Sequence, residues 1–527
     1  DGAVSRLELF PKSKNNGQQQ QASFTFRYVE TDLYKSERRQ GKILTRGTFG
    51  TAKDDGANLF DLKLKNPYNT NVVQVSPDKV WALSEVGLPY KLHPDTLEPL
   101  GVETLDGRLV DGAPAATLGL PILGTQLDSM LGFGDAVCAH SCQVDDGKTQ
   151  LFLSMRQNAL TSDTCLTLHK IETKYGNVVE EVESTLVNTG FPPHDWVVTE
   201  NYAIFMATPA GGDLTPFLLG FKGPAECISF QKRRNTIVHF VPRKQQEEES
   251  GSASDKRRSV VDSMSIELPV ALHPVHFANA WEEEPTTTTT TSSKKTIGKK
   301  ENSIPNVEIL ATCWDNETVS KMAEQGESLL GSWSKIKGGN FEGVPVQQLM
   351  RIVIKTTSGE TGEERLEKSI AVEEVIPTLG HVDYIKCHPK FTGKKSRYVW
   401  GALSASSPSL VAPGQNFCRI DLKTKQKVDE WYAGERNIVD DFILIEKKRK
   451  SENDIHDEAK VSSDDIVSMS EKEEEEGVYL LAPVFDGKTN TSSFVVLDGQ
   501  NLSAGPIFEV KLNSHIPWGL HGSFSYV

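Results

Sequence analysis

No stretch of the chain reaches the roughly 18 consecutive apolar residues that a membrane-crossing helix needs, so no such helix is expected. Basic charge is also short. The formal net charge is −15, and no Lys/Arg stripe offers the phosphate contacts that duplex binding requires. A nucleic-acid partner is therefore not expected. The seven cysteines (Cys138, Cys142, Cys165, Cys227, Cys313, Cys387, Cys418) include no CxxC pair, which argues against a zinc ribbon or a thioredoxin-type site. Their odd number and scatter suit reduced thiols. Residue 1 is not Met and no signal or transit segment is visible, so the chain reads as a processed form or a fragment. No WD or kelch signature recurs, so periodicity alone does not select a propeller.

Strand signals, by contrast, are plentiful. Ala22–Val29, Asn71–Val75, Val80–Leu83, Leu151–Met155, Ala203–Met206, Ile237–Val241, Leu349–Ile354, Tyr398–Leu403 and Ser493–Leu497 are short and rich in β-branched and aromatic residues. Asp-Gly turns punctuate them at Asp106-Gly107, Asp146-Gly147, Asp486-Gly487 and Asp498-Gly499. A helical period holds over Thr318–Leu330, and more weakly over Thr117–Leu131. With 37% apolar residues the chain can bury a large core. Many short strands over this length predict an all-β propeller or large sandwich, read as a single domain over residues 1–527. Three stretches, 245–259, 284–303 and 447–477, are charged or low in complexity. They predict mobile surface insertions, because they bury too little apolar surface to offset their ordering entropy.

Four histidines stand in specific contexts. His140 lies in Val137-Cys138-Ala139-His140. His194 opens His194-Asp195-Trp196-Val197-Val198-Thr199. His276 opens His276-Phe277-Ala278-Asn279-Ala280-Trp281. His521 closes Ile516-Pro517-Trp518-Gly519-Leu520-His521. They are remote in sequence, so they share a metal only if the fold gathers distant segments at one centre, as a propeller axis does. His273, three residues before His276, and His515, six before His521, are nearby competitors for the same role. Singly, each histidine is an ordinary structural residue; the case rests on the set.

These four contexts resemble, in order and approximate spacing, the ligand segments of the carotenoid cleavage dioxygenase (carotenoid oxygenase) family. So do Asn66-Pro67-Tyr68-Asn69-Thr70-Asn71, Trp81-Ala82-Leu83-Ser84-Glu85, Leu92-His93-Pro94-Asp95-Thr96, Phe391-Thr392-Gly393-Lys394 and Phe485-Asp486-Gly487-Lys488. The likeness runs the length of the chain, and its start resembles an internal family segment normally preceded by the first part of a blade. It implies a seven-bladed β-propeller with a loop and helix cap, holding one Fe(II) through His140, His194, His276 and His521. It also implies three carboxylates behind the ligands. Glu85 is expected at His194, Asp383 at His276 and Asp441 at His521, with Glu435 an alternative to Asp441. The family has Glu at the last two positions. Asp loses roughly 1.5 Å of reach, so either the backbone moves in, a water bridges, or the ion is held less firmly.

The activity so implied is cleavage of a conjugated double bond of a carotenoid or apocarotenoid by O2 to two carbonyl products. The alternatives are a same-fold isomerohydrolase, a stilbene-cleaving enzyme, or a carotenoid-binding propeller with impaired catalysis. Phe277, Trp281, Trp518 and Phe524 are candidates to line a substrate tunnel. The apolar tract Leu118–Phe133 is a candidate peripheral membrane contact. A plastid, in the stroma or against the thylakoid, is the compartment the resemblance suggests, with the cytoplasm as alternative.

Overall fold

The computed structural model describes residues 2–10, 22–56, 64–114, 133–157, 164–186, 193–213, 215–244, 258–283, 304–326, 328, 344–357, 367–404, 411, 413–447, 477–517 and 519–526. Among them six sheets form the blades of a β-propeller. The first blade is Asn71–Ser76, Lys79–Leu83, Tyr90–Leu92 and Pro99–Val102. The second is Cys142–Val144, Thr149–Gln157, Thr164–Glu172 and Asn177–Leu186, with Ala136–Val137 also paired to Thr149–Gln157. The third is Val197–Val198, Tyr202–Ala207, Ile237–Pro242 and Met264–Glu267. The fourth is His273–Glu282, Val307–Trp314, Gln348–Thr357 and Glu367–Glu374. The fifth is Val382–Cys387, Tyr398–Ser404, Gly414–Asp421 and Gln426–Tyr432. The sixth pairs both Asn437–Val439 and Ile443–Glu446 with Val478–Asp486, followed by Thr491–Asp498 and Pro506–Lys511.

Apolar cores between consecutive blades fix the order around the ring. Val73 and Trp81 of the first blade pack with Phe152 of the second, and Leu153 of the second with Phe205 of the third. Val238 packs with Ile309, Leu310 with Val399, and Phe417 with Leu480. The inner strands therefore serve two cores, one per face, as alternation of side chains allows. This packing also places two of the residues read as tunnel candidates. Phe277 belongs to the core shared by the third and fourth blades, and Trp281, on the opposite face, to the core of the fourth and fifth. Both rings are interblade packing.

The expectation of seven blades is corrected to six. Between the sixth and first blades stands a two-stranded sheet, Ala3–Leu9 with Ala22–Tyr28. Its Val4 packs with Val80 and Leu92 of the first blade, and its Phe24 ring lies 5.9 Å from Phe494 of the sixth. The described residues before Asn71 supply those two strands and the helix Asp32–Gln40, which is too little for a four-stranded sheet.

All nine segments read as strands in the sequence are strands here. The helix read over Thr318–Leu330 spans Asn316–Gln325. Asp315 caps its N-terminus by accepting the Thr318 amide, and Gly326 ends it at φ 63°, a left-handed conformation that favours glycine. The tracts 284–303 and 448–476 lie outside the described residues, as does most of 245–259. The end of that last tract is not loop: Arg258–Val260 adds a parallel strand to Asn177–Leu186. The apolar tract Leu118–Phe133 lies outside the described residues except for Phe133, and so does Trp518.

Asn279, at 1% exposure, joins the fourth blade to a turn of the fifth. Its amide donates to the carbonyls of Phe391 and Lys394 at 2.8 and 2.7 Å and accepts the Gly393 N–H at 2.9 Å. Gly393 has φ +78°, and a Cβ there would meet the Thr199 carbonyl carbon at 3.2 Å. Asn279→Ala removes three hydrogen bonds, one of them to the buried Gly393 amide. It is expected to lower unfolding free energy by about 2–4 kcal/mol, measurable as a fall in the denaturant midpoint.

Candidate metal centre

Four imidazoles converge although they leave different parts of the ring. His140 follows Ala136–Val137 of the second blade, His194 precedes Val197–Val198 of the third, and His276 sits within the first strand of the fourth. His521 arrives on the irregular segment after the sixth blade, its N–H donating to the Thr70 carbonyl at 3.1 Å. The ligand atoms of all four lie within 4.8 Å of one another. Nε2 of His194 is 3.3 Å from Nε2 of His140 and 3.4 Å from Nε2 of His276. The His521 ring centroid is 4.4 Å from that of His140 and 4.9 Å from that of His276.

Carboxylates from the remaining three blades stand behind these rings. Nδ1 of His194 faces Glu85 Oε1 at 2.7 Å, in the segment after Lys79–Leu83. Nδ1 of His276 faces Asp383 Oδ1 at 2.6 Å, and Nδ1 of His521 faces Asp441 Oδ2 at 2.9 Å. Groups from all six sheets can meet only where the sheets converge, so the cluster marks the centre of the ring. Glu435 is not part of it: its side chain is 78% exposed and pairs with Lys488. His273 is also elsewhere, sharing a hydrogen bond with Thr208 and packed against Trp314. Phe524 is 40% exposed and packs edge-on against Tyr526.

Both aspartates reach their rings directly, and local backbone irregularity explains how. Asp383 pairs with Ala402 but Lys386 pairs with Trp400, so an extra residue bulges out of the strand. Tyr384 takes φ 52° within that bulge. Its amide donates to Asp383 Oδ1 at 2.8 Å. Across the sheet, Gly401 leaves room where a Cβ would press on Val382 at 2.9 Å. The sixth blade repeats the device. Val439 pairs with Val484 and Ile443 with Leu481, which leaves Asp440-Asp441-Phe442 as the interruption. Bulges re-aim side chains, and here they carry the shorter carboxylates inward.

Sequence reasoning missed several residues. Asp195 Oδ1 lies 3.6 Å from His140 Nδ1, an ion-pair distance rather than a hydrogen bond. The oxygens of Asp195 accept the amides of Trp196 at 2.7 Å and Phe277 at 2.8 Å. One carboxylate thus ties the His194 segment to the His276 segment while facing His140. Its place directly after His194 was the available signal. Asn71 donates to the Ala139 carbonyl at 2.9 Å, which steadies the segment that ends at His140. Tyr384 lays its ring along His276, with centroids 5.5 Å apart at 27°. Lys386 holds Asp441 at 2.8 Å.

Burial disfavours the charged form of His140 and His521, whereas at His194 burial is outweighed by the Glu85 carboxylate, which raises the pKa. Burial, then the neighbouring rings, holds His140 well below its ordinary pKa. Burial also dominates at His521, pulling it down to about 4 against the opposing Asp441. Burial alone would raise Asp383, but the His276 ring outweighs it and brings the carboxyl to about 2. With an ionised carboxylate at each Nδ1, the proton of a neutral His194 or His276 sits on Nδ1, and its Nε2 presents a lone pair. Lone pairs confronting each other at 3.4 Å repel unless a positive charge lies among them. The donor set therefore fits one divalent first-row metal ion, and imidazole nitrogen suits iron among these.

Fold and site together define a β-propeller with four grouped histidines that could hold a metal ion. The chain belongs to the retinal pigment epithelial membrane protein family, whose model matches residues 1–526. It is 25% identical over 505 residues to the apocarotenoid-15,15'-oxygenase of a Synechocystis strain, covering 95% of this chain and 82% of that one. It is also 25% identical over 524 residues to a carotenoid 9,10(9',10')-cleavage dioxygenase of Arabidopsis thaliana, covering 95% and 77%. A solved structure of the cobalt-substituted Synechocystis apocarotenoid oxygenase matches the fold with a TM-score of 0.68 at 22% identity, covering 100% of this chain and 87% of that one.

Proposed function

We propose that the protein is a non-haem Fe(II) oxygenase that cleaves a conjugated C=C bond of a carotenoid or apocarotenoid with O2. The observation that carries this reading is the convergence of four imidazoles, three with a carboxylate at the second nitrogen. The activities named for its relatives supply the substrate class. His140, His194, His276 and His521 would hold the ion, and bound iron supplies the activation of dioxygen. The reaction balances without another reductant: one double bond and one O2 become two carbonyl groups.

The protein's own contribution is placement. Glu85, Asp383 and Asp441 each accept a hydrogen bond from an Nδ1–H, which fixes the tautomer and aims Nε2 at the ion. Four neutral donors leave the ion its full positive charge. Asp195 and Asn71 fix the backbone from which three of the rings, those of His140, His194 and His276, project. No side chain needs to move a proton during the cleavage. In the same reading, the tract Leu118–Phe133 touches a lipid surface, from which so insoluble a substrate is drawn, and the compartment is a plastid, where carotenoids are made.

The test is to load purified protein with Fe(II) and incubate it with a panel of carotenoids and apocarotenoids under 18O2. Mass spectrometry of the products should show paired aldehydes carrying label. Chelation should abolish the activity and Fe(II) should restore it. A preparation that binds iron yet leaves every polyene intact under oxygen sinks the oxygenase reading.

A further inference from the structure

Asp441 joins His521 to Lys386. Its Oδ2 faces Nδ1 of His521 at 2.9 Å. Its Oδ1 lies 2.8 Å from the Lys386 Nζ, which also approaches Oδ2 at 2.9 Å. Asp441 Oδ1 also accepts the Phe442 amide at 2.8 Å, just as Asp383 Oδ1, behind His276, accepts the Tyr384 amide at 2.8 Å; of the two, Asp441 has an ammonium in addition. The two carboxylates are equally short and equally placed by a bulge, but an ammonium neutralises one of them. Lys386 is positioned for this by the same bulge that aims Asp383, since it is the first residue to re-enter the ladder, opposite Trp400. Its Nζ also lies 5.4 Å from the centre of the Phe442 ring, next to Asp441. The lysine side chain is 30% exposed while Asp441 is 5% exposed, so the pair reaches from the solvent edge into the centre.

The consequence is electrostatic. Around the four imidazoles stand the carboxylates of Glu85, Asp383, Asp441 and Asp195. A carboxylate behind a ligating imidazole makes that imidazole a stronger donor. An ammonium bound to the carboxylate withdraws part of that effect. We propose that Lys386 is a positioning residue that moderates the metal through Asp441: it weakens donation by His521, limits how tightly the centre grips a divalent ion, and favours the ferrous over the ferric state. This inference rests on the metal-centre reading above. It differs from a scaffold role in sign, because loss of a scaffold loosens a site, whereas loss of this cation tightens it.

The experiment measures Co(II) affinity by chelator competition, the Co(II) visible absorption spectrum, and the Fe(III)/Fe(II) midpoint potential. The proteins compared are the unaltered chain, Lys386→Met and Lys386→Arg. Lys386→Met is expected to bind Co(II) about 3–10-fold more tightly, the size of one partly screened charge at this range. It should also shift the Co(II) bands and lower the midpoint potential. Lys386→Arg, which keeps the charge, should match the unaltered protein in all three. Should Lys386→Met fail to fold, as judged by circular dichroism, Lys386→Gln carries the same expectation. Unaltered protein that binds Co(II), beside a Met or Gln variant of equal or weaker affinity, overturns the role of Lys386 and leaves the metal centre standing. Unaltered protein that binds no Co(II) overturns both.

Discussion

His276→Ala protein is expected to contain almost no iron after loading and to leave a carotenoid uncleaved where the unaltered protein consumes it. His276 is 7% exposed and lies in the first strand of the fourth blade, between two register shifts that turn it toward the centre. Its Nε2 is 3.4 Å from that of His194. Three imidazoles remain in the variant, but one quadrant of the donor set is open, and Asp383 loses its ring partner. The carboxylate is then the anion nearest the gap. It stands one ring further out, so it cannot supply a nitrogen donor at the vacated place. Iron content by atomic absorption falling from about one per chain to near zero, with activity below detection, is the expected pair of results. A variant that keeps its iron and turns over normally removes His276 from the donor set and with it the proposed centre. The strand should survive, since Phe277, Ala278, Ala280 and Trp281 continue to pack in the two cores that flank it.

The second large effect concerns Asp383, and its direction runs against the comparison with the family. Replacing this aspartate by the family's glutamate is expected to weaken the site. At 2.6 Å the carboxylate already meets Nδ1 of His276. A further methylene adds roughly 1.5 Å, and the bulge at Tyr384 has already spent the space. Asp383→Ala removes the acceptor altogether and should cost about 10–100-fold in metal affinity or activity. Asp383→Asn keeps an oxygen for the ring and for the Tyr384 amide but loses the charge, so it falls between the native residue and Ala. The expected order is Asp above Asn and Glu, with Ala lowest, read by chelator competition and by kcat. Glu exceeding Asp would mean that the backbone does not compensate for the shorter side chain.

These two residues show what could be read in the sequence. The strands were legible because their apolar runs face two cores at once, as with Tyr398–Ser404, whose Val399 and Trp400 serve different neighbours. The histidines were legible as a set through their local contexts. Reach was not, because a bulge is a property of pairing: nothing in Val382-Asp383-Tyr384-Ile385-Lys386 announces that its partner strand skips a residue. For the same reason Lys386 and Asp195 escaped notice. Each acts across a gap between blades, on residues far away in the chain. The blade count failed for a different cause. The resemblance supplied the number seven, whereas the described residues place a two-stranded sheet where a further blade was expected. Phe277 and Trp281, read as tunnel candidates from their nearness to His276, pack in the two cores that flank the strand, on opposite faces because the strand is irregular between Phe277 and Asn279.

His521 follows the last strand of the sixth blade, and this has a bearing on how the protein matures. A ribosome delivers residues in order, so His140, His194 and His276 emerge, fold and wait without their fourth companion. Only when the tail has passed Thr70 and settled beside Asp440 and Asp441 does the pocket close. On the proposed reading, an ion bound before that point would meet three imidazoles at most. The tail therefore works as a late clasp, and firm loading with metal reports that the whole ring has been built.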